Sequence, residues 1–231
     1  MIMRHIFFDL DNTLWDHRKN ALLTLTELFE RKQISEIYQL SFQDFHTQYD
    51  KVNERLWEMI RDGEIDKDYL RKHRFYDTFL HFGIDDFQLA QYFEYRFLDE
   101  IIAHNELVEG SIEILNYLKN KGYTLHIISN GFGEVTHRKI EDSGLSSYFN
   151  TITSADDVGV RKPNPKIYDH ALGLANAHKS ESMLIGDDWI ADALGSYQYG
   201  MKSIFFNVLN QDYHHQDIVK IDHLREIKNW L

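Results

Sequence analysis

Four groups of residues stand out by type and spacing: Asp9-Leu10-Asp11-Asn12-Thr13, Ser129-Asn130-Gly131, Arg161-Lys162-Pro163-Asn164-Pro165, and Gly186-Asp187-Asp188 with Asp192 one helical turn further on. The first, second and fourth directly follow segments that read as strands; the third lies at the end of a loop after another. Ligands of open α/β sheets bind beyond the carboxyl ends of the strands. Acids, a hydroxyl and a lysine gathered on one such edge suit metal-assisted phosphoryl transfer. Taken singly, each residue has a plainer role. Asp9 would be a solvated turn acid, Asp11 and Asp187 helix caps, Lys162 a solvated charge, and Ser-Asn-Gly a turn.

The elements that must position them change character along the chain. Arg4 to Asp9 reads as a buried strand ending in an acid. From about Arg18 to Ala103 the pattern is helix after helix, with Leu22, Leu25, Leu28 and Phe29 at helical spacing. Ser41 is placed to cap a helix running to Arg61, which Asp62-Gly63 ends. Further helices are expected from Asp66 to His81 and from Asp85 to His104. After Gly110 helices and strands alternate. Helices are expected at Ser111–Asn120, Glu134–Ser143, Pro165–Ala177, Ile190–Tyr199 and His223–Trp230. Strands are expected at Tyr123–Ile128, Thr151–Ile152, Ser182–Ile185 and Lys202–Phe206. Such alternation implies βαβ units and a parallel sheet. The expected fold is an α/β, Rossmann-like parallel-sheet core of residues 1–14 and 106–231. An all-helical cap, residues 15–105, is inserted after the first strand.

Composition narrows the function. The 231 residues are 43% hydrophobic and 27% charged, ordinary for a globular chain, and 14% aromatic, ample for a core. No cysteine is present, which excludes disulfides and cysteine-ligated zinc. The net charge of -12 disfavours a nucleic-acid polymer as partner, because such binders need a basic patch. A small anion remains compatible where a metal ion supplies local positive charge. No run approaches a membrane span, and the first ten residues lack the length and cleavage site of a signal peptide. A cytoplasmic location without membrane partners is expected.

Asp9-x-Asp11-x-Thr13, Ser129, Lys162 and Gly186-Asp187-x4-Asp192, in that order and each after its expected strand, resemble the motifs of the haloacid dehalogenase-like (HAD) hydrolase superfamily. The likeness is to the group with a helical cap after the first motif, and it spans nearly the whole chain. A narrower likeness is carried by Val52-Asn53-Glu54-Arg55-Leu56-Trp57, Gly63-Glu64-Ile65, Arg74-Phe75, Ser129-Asn130-Gly131-Phe132 and Asp157 to Asn164. These segments look like those of bacterial pyrimidine 5'-nucleotidases that act on noncanonical nucleoside monophosphates.

The resemblance implies roles. Asp9 attacks phosphorus and forms an aspartyl phosphate. Asp11 gives a proton to the leaving oxygen and then takes one from water. Magnesium is held by the Asp9 carboxylate, the Asp11 backbone carbonyl and the Asp187 carboxylate. Lys162 pairs with the phosphoryl group and with Asp9. Ser129 and the backbone N–H groups of Asn130 and Gly131 bind phosphate. Thr13 orders its loop, and Asp192 orients Lys162 or a metal-bound water. Asp188 stands where related sequences often have Ser or Thr; it binds metal through water or caps a helix. Substrate choice falls to the cap, which closes over the site, with Asn53, Trp57 and Arg74 as candidate base or sugar contacts.

The leading expectation is a magnesium-dependent phosphomonoester hydrolase for a pyrimidine nucleoside monophosphate. The same core chemistry serves a sugar phosphatase or a phosphomutase. A 2-haloacid dehalogenase needs neither Asp11 as acid and base nor a metal acid at Asp187. A non-catalytic binding protein needs none of the acids.

Overall fold

The strands are short and apolar because both faces of the sheet are covered, as parallel sheets require. In the computed structural model, which describes residues 3–231, six strands form one parallel sheet: β1 (His5–Phe8), β2 (Thr124–Ser129), β3 (Thr151–Ser154), β4 (Ser182–Gly186), β5 (Lys202–Phe206) and β6 (Val219–Ile221). Their spatial order is β3-β2-β1-β4-β5-β6. The chain builds outward from β1 to β3, returns to lay β4 against β1, and then builds the other way. The switch point therefore falls between β1 and β4, where Phe8 pairs with Ile185. The crevice of such a sheet opens there.

Alternate strand residues point to opposite faces. Phe7, Ile128 and Leu184 pack with Ile167, Tyr168, Ala171 and Leu172 of a helix on one face. Phe8, Ile127 and Ile185 are just as fully buried on the other. The helices are α1 (His17–Arg31), α2 (Ile34–Tyr38), α3 (Phe42–Arg61), α4 (Lys67–His81), α5 (Phe87–Glu100), α6 (Ser111–Asn120), α7 (Gly133–Asp142), α8 (Ala155–Val158), α9 (Pro165–Ala175) and α10 (Gly195–Tyr199). No helix among the described residues is long and apolar enough to cross a membrane.

The chain separates into two compact units: one runs to His17 and resumes at Asn105–Leu231, and the other is Arg18–His104. The second is helical, with an aromatic interior. Phe45, Phe79 and Phe93 lie 5.0 to 5.8 Å apart by ring centroids, and Tyr49 stacks on Phe75 at 5.3 Å. Its helices start where capping residues stand. Ser41 Oγ accepts from the Asp44 N–H, and the carboxylates of Asp66 and Asp86 accept from Tyr69 and Leu89.

Several elements differ from the sequence reading. Position 190 does not open an ordinary helix: Trp189–Leu194 is a wide π-helical turn, with the Ala193 N–H reaching back to Asp188 O, and α10 follows it. The closing segment is a 3₁₀ turn, Leu224–Asn229. Strand β6 escapes detection because three residues carry too little periodicity. The same holds for α2 and α8.

A titratable pair lies within the sheet. His126 on β2 is buried; its Nε2 is 3.1 Å from His5 Nδ1, its Nδ1 is 2.8 Å from Thr151 Oγ1, and its ring stacks on Phe7. Burial, with a smaller contribution from His5, pushes its pKa down from 6.5 to about 4. Between those values the folded protein binds fewer protons than the unfolded chain, so this contribution is full at neutral pH and is lost as pH falls through the window. Urea unfolding is expected to show an acid-side loss of at most roughly 3 kcal/mol from this group. The His126→Phe variant should lack that limb.

Candidate active site

The loop after β1 places the first two acids. The Asp9 N–H donates to Ile185 O at 2.9 Å, which locks the strand end to β4 and brings Asp9 to the switch point. Asn12 adopts a left-handed conformation with φ 62°, and its N–H bonds to Trp15 O. This turn folds the chain back over Asp11 and Thr13. Thr13 Oγ1 donates to Asp187 Oδ1 at 3.4 Å, joining the loops that follow β1 and β4.

Lys162 is at the centre. Its ammonium donates to Asp9 Oδ1 at 2.7 Å, to Asp192 Oδ1 at 2.6 Å and to Ile128 O at 2.7 Å. These three acceptors use all three of its protons. Burial alone would push the Lys162 pKa down, but Asp192 and Asp9 overcome this and drive it up, so the lysine stays charged. The Asn130 side chain clamps the Lys162 backbone, its Nδ2 donating to Lys162 O at 3.0 Å and its Oδ1 accepting from the Lys162 N–H at 2.7 Å. Asn130 thus positions the lysine. The Ser129 hydroxyl accepts from the Gly131 N–H at 3.0 Å, so that N–H is engaged within the loop.

Asp188 and Asp192 set the shape of the turn after β4. Asp188 Oδ1 accepts from the N–H groups of Ile190 and Ala191, which makes Asp188 the cap of the π turn. Asp192, 1% exposed, turns back so that its Oδ2 accepts from the Asp188 N–H at 3.1 Å. Only glycine fits beneath it: a Cβ at position 186 would stand 2.6 Å from Asp192 Cβ and closer still to its carboxyl carbon. Gly186→Ala is therefore expected to push Asp192 off Lys162. We expect melting to fall by the equivalent of about 2 kcal/mol or more, with hydrolysis falling in parallel.

Carboxylate oxygens of Asp9, Asp187 and Asp192 lie within 4.8 Å of one another. Both Asp192 oxygens are already engaged, by Lys162 and by the Asp188 N–H. Asp9 and Asp187 are the pair suited to a hard divalent cation, since they offer oxygen alone. The charge balance agrees. Burial, countered by Lys162 and reinforced by Asp192, raises the Asp9 pKa to about 7. Three carboxylates around one lysine leave negative charge that a proton or a cation must offset.

Asp11 has its own partners, which the sequence reading missed. Lys139 Nζ donates to Asp11 Oδ1 at 2.5 Å and sits 4.3 Å from the centre of the Trp15 ring. His17 Nδ1 lies 3.9 Å from the same oxygen. Burial would raise the Asp11 pKa, yet Lys139 and then His17 bring it below the ordinary value. A signal was present: Val135, Thr136, Lys139 and Ile140 form the buried stripe of α7, so the lysine stands on the inward face.

The structure thus gathers Asp9, Asp11, Thr13, Ser129, Asn130, Gly131, Lys162, Asp187, Asp188 and Asp192 at one edge of the sheet unit. Asn53, Trp57 and Arg74 belong to the helical unit. Asn53 and Trp57, four residues apart on α3, are half-buried, and the buried Asn53 Oδ1 has no hydrogen-bond partner. Arg74 lies in the interior of that unit. It is 2% exposed, and its Nε and Nη2 donate to both oxygens of Glu94 at 2.8 to 3.0 Å. Its guanidinium also lies 4.9 Å from the Phe97 ring centre. It braces α4 against α5 through this pairing.

A parallel sheet with buried acids and a lysine at its switch point defines an α/β enzyme class in which carboxylates surround the reacting centre. The family model described as haloacid dehalogenase-like hydrolase matches residues 6–206. The chain belongs to that family and is a hydrolase. Two similar proteins are the pyrimidine 5'-nucleotidases PynA of Streptococcus pneumoniae and YjjG of Escherichia coli. PynA is 27% identical and covers 94% of this chain and 89% of its own; YjjG is 29% identical and covers 92% and 87%. A glyceraldehyde 3-phosphate phosphatase of Pyrococcus abyssi is also 29% identical, over 89% of this chain and 82% of its own. The crystal structure of the HAD-hydrolase YfnB from Bacillus subtilis bound to magnesium superposes with a TM-score of 0.89 at 23% identity. The superposition covers 100% of this chain and 99% of that one, and the two share a fold.

Proposed function

We propose that this protein is a magnesium-dependent phosphomonoester hydrolase that works through an aspartyl phosphate and acts on pyrimidine nucleoside monophosphates. The observation that carries the chemistry is the Lys162 ammonium bonded to both Asp9 and Asp192, with Asp187 grouped beside them. Nucleophile, charge-compensating cation and metal-binding acid are then within one site.

Asp9 attacks phosphorus with its carboxylate oxygen, and the bond to the ester oxygen breaks. Asp11 protonates that departing oxygen. Water then attacks the acyl phosphate; Asp11 takes its proton, phosphate departs, and Asp9 is restored. Lys162 holds the Asp9 carboxylate in place and faces the charge on the equatorial phosphoryl oxygens. Ser129 donates its hydroxyl proton to phosphate while its oxygen accepts from the Gly131 N–H. Asp9, Asp187 and the Asp11 backbone carbonyl would hold magnesium, which would supply charge neutralisation for phosphoryl transfer.

The nucleotide assignment is supported by PynA and YjjG, which carry that activity in their names, together with the Val52–Trp57 segment of α3. The Pyrococcus phosphatase keeps small sugar phosphates as the second reading. The test is phosphate release from UMP, dUMP, dTMP, AMP and a panel of sugar phosphates including glyceraldehyde 3-phosphate, with and without magnesium. Preferential turnover of the pyrimidine nucleotides is expected. Release chiefly from the sugar phosphates would replace the substrate class and keep the chemistry, and release from none would sink both.

A further inference from the structure

Among the described residues, Lys139 is the one fully buried cation at this edge for which the proposed chemistry has no role. It stands on α7, away from the four motif loops in sequence, and its side chain is 5% exposed. Its ammonium faces two groups: Asp11 Oδ1 at 2.5 Å and the face of Trp15 at 4.3 Å. Burying an ammonium costs several kcal/mol unless it is well paired, and an indole face with one carboxylate oxygen is a specific pairing. Trp15 is itself immobilised: fully buried, with its indole N–H donating to Asn105 Oδ1 at 3.3 Å. The lysine is therefore aimed.

What it aims is Asp11. With Oδ1 tied to Lys139, the second oxygen is directed toward the loop after β2. A Cβ on Gly131 would stand 3.4 Å from Asp11 Oδ2, an ordinary contact distance, so this oxygen looks onto the Ser129–Gly131 turn. An ammonium offers only donors and a carboxylate only acceptors, and the bond between them is strongest when the acid is ionised. The arrangement suits the half of the reaction in which Asp11 must accept a proton.

We propose that Lys139 is a positioning residue for hydrolysis of the aspartyl phosphate: it holds Asp11 Oδ1 so that Oδ2 accepts the proton of the attacking water. This rests on the phosphatase reading above. In that step the water oxygen forms its bond to phosphorus, the bond from phosphorus to the Asp9 oxygen breaks, and the water proton passes to Asp11. Lys139 neither gains nor loses a proton.

The experiment uses p-nitrophenyl phosphate, whose leaving group departs without help from an acid, so that kcat/KM reports phosphoryl transfer to Asp9 and kcat reports hydrolysis of the intermediate. Lys139→Met keeps the length and the packing on Trp15. It should lower kcat and KM together by about tenfold or more, leave kcat/KM within about threefold, and show a burst of p-nitrophenol stoichiometric with enzyme. Lys139→Arg should restore most of kcat by holding the same oxygen. Equal losses in kcat and kcat/KM without a burst would mean that Lys139 only supports the fold, and an unchanged kcat would deny it any part; either overturns the proposal. Should Lys139→Met fail to fold, Lys139→Gln is read by the same criteria. A parent enzyme inactive on every phosphomonoester tested would instead overturn the phosphatase reading, and this one with it.

Discussion

Asp9→Asn is expected to abolish turnover of phosphomonoesters, by about 10⁴-fold or more, while raising the melting temperature of the metal-free protein above pH 7. The two effects share a cause. Asp9 is nearly buried, and burial, only partly offset by Lys162 and aggravated by Asp192, lifts its pKa from 3.8 to about 7. Between those values the folded protein holds a proton that the unfolded chain has released. This site therefore weakens the fold as pH rises through the window, and the penalty is complete above it. Asparagine removes the charge, still accepts the Lys162 hydrogen bond through its Oδ1, and leaves the lysine paired with Asp192. It cannot form an acyl phosphate. Thermal melts at pH 6 and pH 8 check the stability half. The gain should already be present at pH 6 and be largest at pH 8, and added magnesium should stabilise the parent more than the variant. Residual turnover near a tenth of the parent's would remove Asp9 from the nucleophile's position.

Arg74→Ala is expected to destabilise the protein by about 3–5 kcal/mol in urea unfolding. The loss comes less from the ion pair itself than from what is left behind. Glu94 would remain almost buried with only the longer Arg71 contact, 3.9 Å away, since Arg74 donates to both of its oxygens in the interior of the helical unit. Replacing both residues, as Arg74→Met with Glu94→Leu, should recover most of the loss, because an apolar pair of similar volume avoids the desolvation cost. That double variant also tests whether Arg74 contacts the substrate. With the guanidinium bracing two helices, KM for the preferred substrate should stay within about twofold in the folded double variant. A large rise in KM with stability restored would return Arg74 to the substrate.

The edge of the sheet was readable because each motif follows an element whose pattern is strong. Ile6, Phe7 and Phe8 before Asp9, and Met183, Leu184 and Ile185 before Gly186, are the buried apolar runs of two strands, and a strand's end fixes where the next side chain goes. The cap of α3 was legible for a similar reason: Ser41 satisfies an N–H group three residues on. Elements whose definition is non-local were not. The π turn at Trp189–Leu194 exists because Asp188 and Asp192 turn inward against the Gly186 backbone and Gly195 lies against Pro163, where a Cβ would fall 2.5 Å from the Pro163 Cβ.

The sequence by itself determined the alternating α/β order, the helical insertion, and the chemical types that meet at the strand ends, since all of these follow from short-range periodicity and from what each residue is. Only the tertiary structure decided which charges pair. Lys139 finds Asp11 across 128 residues, while Arg74 turns inward to Glu94. A buried charge settles where an opposite charge and a dry wall coincide in space, and that coincidence is written in no local stretch of chain.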